Sequence, residues 1–186
     1  MSRMEEGRPG RRPLHLRRIH CEGFERDDGL IDLEGTLIDT KPEPLKLVNR
    51  VVPAGEPIHQ MRVRLTIDRE RRIVDARAFS EETPYPDCQQ VEAAYRQLVG
   101  LCIEPGFTQQ VKQLFRGTAG CTHMTELLPA LASTAFQVLW ANGNFEGADA
   151  PGSARRTSPL GGCHALRLDG QVVRTYFADV ARENAA

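Results

Sequence analysis

Met61-Arg62-Val63-Arg64-Leu65-Thr66-Ile67-Asp68 decides the fold of this chain. Val63, Leu65 and Ile67 alternate with Arg62, Arg64 and Thr66, and a period of two puts the apolar side chains on one face of a strand. Arg69 to Arg71 turn the chain, and Arg72 to Phe79 return as a partner strand. Working upstream, residues 14–26 also alternate, and Asp27-Asp28-Gly29 reads as a tight turn into a second strand from Leu30 to Asp39. The prolines near 42–57 mark an extended crossing or loop.

Downstream of Pro84-Tyr85-Pro86-Asp87 the pattern becomes helical. Asp87 is positioned to cap a helix from about Cys88 to Leu98, a second helix is expected near Phe107 to Phe115, and Gly117 to Gly120 form a turn. The third and longest helix runs from Thr122 to about Trp140. Strands first and helices second define an α+β domain, an antiparallel β-sheet with helices packed on one face. Residues 14–141 form this core. Residues 142–162, rich in Gly, Ser, Ala, Arg and Pro, read as a flexible linker or lid. Cys163 to Phe177 read as a last hairpin turning at Asp169-Gly170, so that residues 163–186 complete the same domain.

With 186 residues the chain can bury a core without disulfide or metal staples. Its net charge of −1 gives no reason to expect nucleic-acid binding. The basic start, residues 1–13 with Arg3, Arg8, Arg11 and Arg12, reads as a solvated, disordered arm. No long apolar run is present, so neither a membrane span nor a signal peptide is expected. Five scattered cysteines without an export signal fit a reducing cytoplasm, where Cys serves packing, metal binding or chemistry.

Chemistry concentrates in Gly120-Cys121-Thr122-His123-Met124-Thr125-Glu126-Leu127. A thiol, an imidazole and a carboxylate meet where an apolar helix begins, with Thr122 or Thr125 able to cap it. The unpaired N–H groups of a helix N-terminus lower the pKa of a Cys placed there. His123 and Glu126, three apart, share a face and are candidate proton-transfer groups. The alternative is a Cys and His that simply pack. Asp32 and Glu34 share a strand face and read as a solvated polar face or an acid/base pair, and Asp39-Thr40-Lys41 could orient a substrate or make a turn. His15 lies in the first strand, and no spacing argument ties it to the site.

Several motifs together carry a resemblance: His15-x-Arg17, Asp28-Gly29-Leu30-Ile31-Asp32-Leu33-Glu34-Gly35, Asp39-Thr40-Lys41, Gly55-Glu56-Pro57-Ile58-His59, the hairpin ending Asp75-Ala76-Arg77-Ala78-Phe79, and Cys88 and Cys121 each opening a helix. The chain resembles an uncharacterised bacterial family, domain of unknown function 2889, over about residues 14 to 177, with Ile31 where that family would have Trp. Its middle is more distantly similar to the NifU-like iron–sulfur scaffold fold, which implies a NifU-like core with extra N-terminal strands and a C-terminal hairpin. The three scaffold cysteines correspond to His59, Cys88 and Cys121, and the scaffold Asp corresponds to Met61.

That likeness implies a metal site of His59, Cys88 and Cys121 for zinc or iron. Three protein ligands leave one position open, as in catalytic zinc centres. His123 or Glu126 would then be a fourth ligand or move protons, and Met61, Tyr85, Phe107 and Met124 would line an adjoining pocket. The expected function is a metal-dependent lyase or hydrolase acting on a small catabolic intermediate, aromatic ones included. The alternatives are a non-enzymatic iron–sulfur or sulfur-transfer scaffold and a binding module with a structural zinc. A small-molecule substrate is the expected partner, without nucleic acid or membrane, and a homo-oligomer is compatible with the sequence.

Overall fold

The computed structural model describes residues 10–141 and 160–177. The segments 1–9 and 142–159, with most of the basic arm and most of the linker or lid, lie outside the described residues. The chain forms two compact units, Met1–Thr134 and Ala135–Ala186.

The first unit is built on a four-stranded antiparallel sheet in the order β1-β2-β5-β6. Its strands are β1 (Leu16–Glu25), β2 (Ile31–Thr40), β5 (Pro57–Ile67) and β6 (Ile73–Glu82). The first pair turns at Asp27-Asp28-Gly29, where Gly29 takes φ 81°, a conformation open mainly to glycine. Between β2 and β5 the proline-rich stretch holds a two-residue hairpin, β3 (Leu45–Lys46) with β4 (Val51–Val52).

Alternation sorts the faces. Ile31, Leu33 and Leu37 of β2, Met61, Val63, Leu65 and Ile67 of β5, and Ile73 and Ala76 of β6 are at most 3% exposed. The opposite face carries cross-strand charge pairs: Arg62 donates to Glu81 at 3.0 Å and lies 4.1 Å over the Phe79 ring, and Arg64 sits 4.0 Å from Asp75. Asp32 belongs to this second face, where it accepts from the Thr66 hydroxyl at 2.6 Å.

A 3-10 helix (Pro86–Leu98), α1 (Phe107–Leu114) and α2 (Thr122–Ala141) follow the sheet. The expected α-helix from Cys88 is tighter than foreseen. At three residues per turn Glu92, Tyr95 and Leu98 stack on one side; Tyr95 and Leu98 are fully buried and Glu92 accepts from the Ser80 N–H at 2.6 Å. Tyr85, not Asp87, occupies the N-cap position, without a side-chain capping bond. α2 meets β2 at Gly35, where a Cβ would sit 3.2 Å from the Leu131 side chain.

In the second unit the expected hairpin over Cys163–Phe177 is replaced by turns and a short helix, α3 (Gln171–Tyr176). The turn at Asp169-Gly170 does form, with Gly170 N–H bonded to the Arg167 carbonyl at 2.8 Å. Gly170 then serves as the N-cap of α3. Of the stretch Gln171–Tyr176 only Val173 is buried, so its apolar residues offer no alternating face for a strand to cover. Among the described residues, no helix is long and apolar enough to cross a membrane.

Candidate functional site

The site is organised around Asp39. The alternation that buries Leu33 and Leu37 carries Asp39 onto the same covered face, where it is 1% exposed. A buried carboxylate persists only when paired and hydrogen-bonded. The register supplies both: Arg17 of β1 lies opposite Asp39 on one side and His59 of β5 on the other. Arg17 donates in fork geometry, Nε to Oδ1 and Nη2 to Oδ2, each at 2.8 Å. His15, two residues before Arg17 and so on the same side, brings Nε2 to 3.0 Å of Oδ1. His59 Nδ1 lies 3.1 Å from Oδ2, beside a register shift at Asp39/Thr40.

The first turn of α2 closes the cluster. His123 brings Nε2 to 3.5 Å of Asp39 Oδ2, and its ring stacks on His59 with centroids 3.8 Å apart and planes inclined 28°. Glu126, one turn further along α2, accepts from Arg17 Nη1, so the guanidinium bridges two carboxylates. Cys121 Sγ stands 3.7 Å from His123 Nδ1. Buried Tyr95 fixes the backbone at this point. Its hydroxyl donates to the Cys121 carbonyl at 2.9 Å, accepts from the Cys121 N–H at 3.1 Å and lies 2.8 Å from the Thr125 hydroxyl. Gly120 is obligatory beside it, since a Cβ there would come within 2.5 Å of Phe115 Cβ.

The electrostatics follow from this packing. Burial alone would raise the Asp39 carboxyl, but the bonds and charge of Arg17, with His15, outweigh it and lower the group to about 2. Burial and the neighbouring imidazole push His59 down, against the pull of Asp39. His123 is also lowered, by burial and then by the Arg17 charge, against Asp39 and Glu126. At neutral pH the centre therefore holds an ionised carboxylate and two neutral imidazoles. An ionised carboxylate only accepts, so the ring nitrogens hydrogen-bonded to it, His15 Nε2 and His59 Nδ1, carry the protons. This leaves a lone pair on His59 Nε2.

Of the residues singled out in the sequence, His59, His123 and Glu126 are brought together, and Cys121 adjoins them through His123. The ligand set His59, Cys88 and Cys121 is not the group that assembles. Among the described residues the one set of three or more potential ligands is Asp39, His59 and His123, whose donor atoms lie within 4.8 Å of one another. The physical reason is that β5 aims His59 toward β2. Cys88 instead packs its carbonyl against the Ser80 hydroxyl of β6 at 3.4 Å, on the other edge of the sheet. Met61, Phe107 and Met124 belong to the core rather than to a pocket, and Tyr85 is exposed.

The fold and site thus define an α+β protein with a carboxylate–histidine centre between its sheet and the start of a helix. The family described as protein of unknown function (DUF2889) matches residues 15–137, and the chain belongs to it. No curated protein and no solved structure matches the chain, and the likeness to NifU-like scaffolds gains no support there.

Proposed function

We propose that this protein is a metal-dependent enzyme, of lyase or hydrolase type, acting on a small molecule. The observation that carries the reading is the convergence of Asp39, His59 and His123, an ionised carboxylate and two neutral imidazoles with donor atoms within 4.8 Å. Two imidazoles and a carboxylate are the donors that zinc and non-haem iron(II) take in open catalytic sites. Four donors at about 2.0–2.2 Å around a tetrahedral ion lie roughly 3.3–3.6 Å apart. The separations of 3.1 and 3.5 Å from Asp39 Oδ2 are close to that edge. A bound divalent ion would supply Lewis-acid activation of a substrate oxygen or of water.

The chain's own residues have separate tasks. Asp39 keeps its charge because Arg17 neutralises its burial. His59 would hold an ion through Nδ1 in the tautomer protonated at Nε2, and Cys121 Sγ stands 3.7 Å from the far nitrogen of His123. Glu126 is half exposed, accepts from Arg17, and would move a proton. A groove of about 330 Å³ opens at Glu126 between α1 and α2, with apolar walls from Val111, Phe115 and Pro129 and the ammonium of Lys112. Such a lining suits a small substrate with an apolar or aromatic body.

A second reading is favoured by the stacking of His59 on His123. Parallel rings must splay before both lone pairs meet one ion, whereas as they stand they suit a metal-free acid/base centre. The iron–sulfur or sulfur-transfer alternative needs thiolates beside His59, and neither Cys88 nor Cys121 belongs to the convergent group. Metal content of untagged, anaerobically purified protein separates these readings. The metal-enzyme reading expects about one zinc or iron per chain, retained in Glu126→Gln and lost in His59→Ala. Absence of any ion under zinc or iron(II) loading would leave the acid/base reading.

A further inference from the structure

Strand β1 forms one edge of the sheet over ten residues, paired with β2 on one side and, among the described residues, with no strand on the other. Protein sheets normally blunt such edges with short strands, prolines, bulges or charged side chains. This one has only the charges, Arg17, Arg18, Glu22 and Glu25, and its register with β2 runs without a shift from Leu16 to Glu25. Three large apolar side chains are exposed along it, Leu16 at 42%, Ile19 at 45% and Phe24 at 46%.

We infer that β1 pairs antiparallel with β1 of a second copy of this chain, about a two-fold axis at His20, joining two four-stranded sheets into one of eight strands. The sequence of the strand is self-complementary in that register. Arg18 falls opposite Glu22 of the second copy, and by symmetry the pair occurs twice. Leu16 falls opposite Phe24, again twice, and His20 meets its own equivalent. These residues share the face that carries the charge pairs of β5 and β6. On the other face Ile19 lies opposite Cys21, Arg17 opposite Gly23, and His15, just before the strand, opposite Glu25. Opposite charges and apolar pairs directly across two strands are the contacts that stabilise a sheet.

A shift by one residue loses this match. Arg18 would then face Gly23, Arg17 would face Phe24 and Leu16 would face Glu25. A two-fold contact must be self-complementary, because each residue meets its counterpart in both directions. The central register meets that condition for both the charges and the apolar residues. It also brings a carboxylate of the second copy to His15, at the rim of the Asp39 cluster.

The test is a charge swap read by sedimentation velocity on the full chain, from micromolar to submillimolar concentration, with circular dichroism to confirm folding. The native chain is expected to be dimeric. Arg18→Glu faces Glu22 with a like charge, Glu22→Arg faces Arg18 likewise, and each single variant is expected to weaken the dimer about tenfold or more. The double variant restores opposite charges and is expected to return to within about threefold of the native affinity. Both residues are exposed and lie outside the Asp39 cluster, so folding is expected to survive. A native chain that stays monomeric throughout overturns the inference. So does a dimer that the single variants leave unchanged, or one that the double variant fails to rescue.

Discussion

At the scale of single residues, the Arg17–Asp39 pair holds the most consequence. Charge-assisted hydrogen bonds contribute roughly 1.5–3 kcal/mol, and removing one partner strands a buried charge. Asp39→Ala is therefore expected to cost on the order of 2–3 kcal/mol in chemical denaturation, less than a fully buried pair because Arg17 can reach water. Tyr95→Phe removes a hydroxyl with three partners and leaves the Cys121 N–H unpaired, with an expected loss of about 1–3 kcal/mol. That variant also frees the Cys121 backbone, so alkylation of Cys121 by iodoacetamide should speed up. In the sequence His123, Glu126 and Cys121 were legible because they crowd the start of an apolar helix. Asp39 was visible, yet its place on the apolar face of β2, two residues beyond Leu37, was the signal for a buried charge. His15 and Arg17 join it only through the register of β1 on β2, which no local pattern in the sequence encodes.

At the scale of elements, the start of α2 depends on the close approach of Gly120 to Phe115, whose ring stacks on Tyr95 at 4.4 Å. Gly120→Ala is expected to displace this junction and cost about 1–3 kcal/mol. Loss of the His59–His123 contact should accompany it, seen as converging imidazole resonances in an NMR titration. The strands β2, β5 and β6 were readable because one face is apolar and the other polar or charged, whereas β1, exposed along almost its whole length, was readable from its alternation and the turn at Asp27-Asp28-Gly29. The 3-10 helix was not, because Tyr95 and Leu98 at a spacing of three satisfy an α-helical pattern equally well. The stretch from Cys163 to Phe177 contains alternating apolar residues, but α3 buries only Val173 and needs no sheet partner.

For the whole molecule, the titrating groups of the centre give stability a defined pH dependence. Asp39 has an ordinary value of 3.8 and is held at about 2 in the fold, so its contribution is complete above pH 4 and is lost as pH falls toward 2. That contribution is on the order of 2 kcal/mol. His59 and His123 are lowered from 6.5, so the unfolded chain takes up their protons first and stability also declines as pH drops below 6.5. Thermal unfolding of the metal-free protein should therefore show its highest midpoint near neutrality and a first decline below about pH 6.5, with a second below about pH 4. His59→Asn should flatten the first decline and leave the second. A midpoint that rises on acidification would contradict the arrangement.

Whether Asp39, His59 and His123 together bind a metal, as proposed, is decided by cobalt(II) substitution followed by visible absorption. Intense d–d bands are expected at about one cobalt per chain, abolished in His59→Ala and in His123→Ala and unchanged in Cys88→Ser. A spectrum no different from aqueous cobalt would contradict the proposal, and so would a thiolate charge-transfer band that disappears in Cys88→Ser.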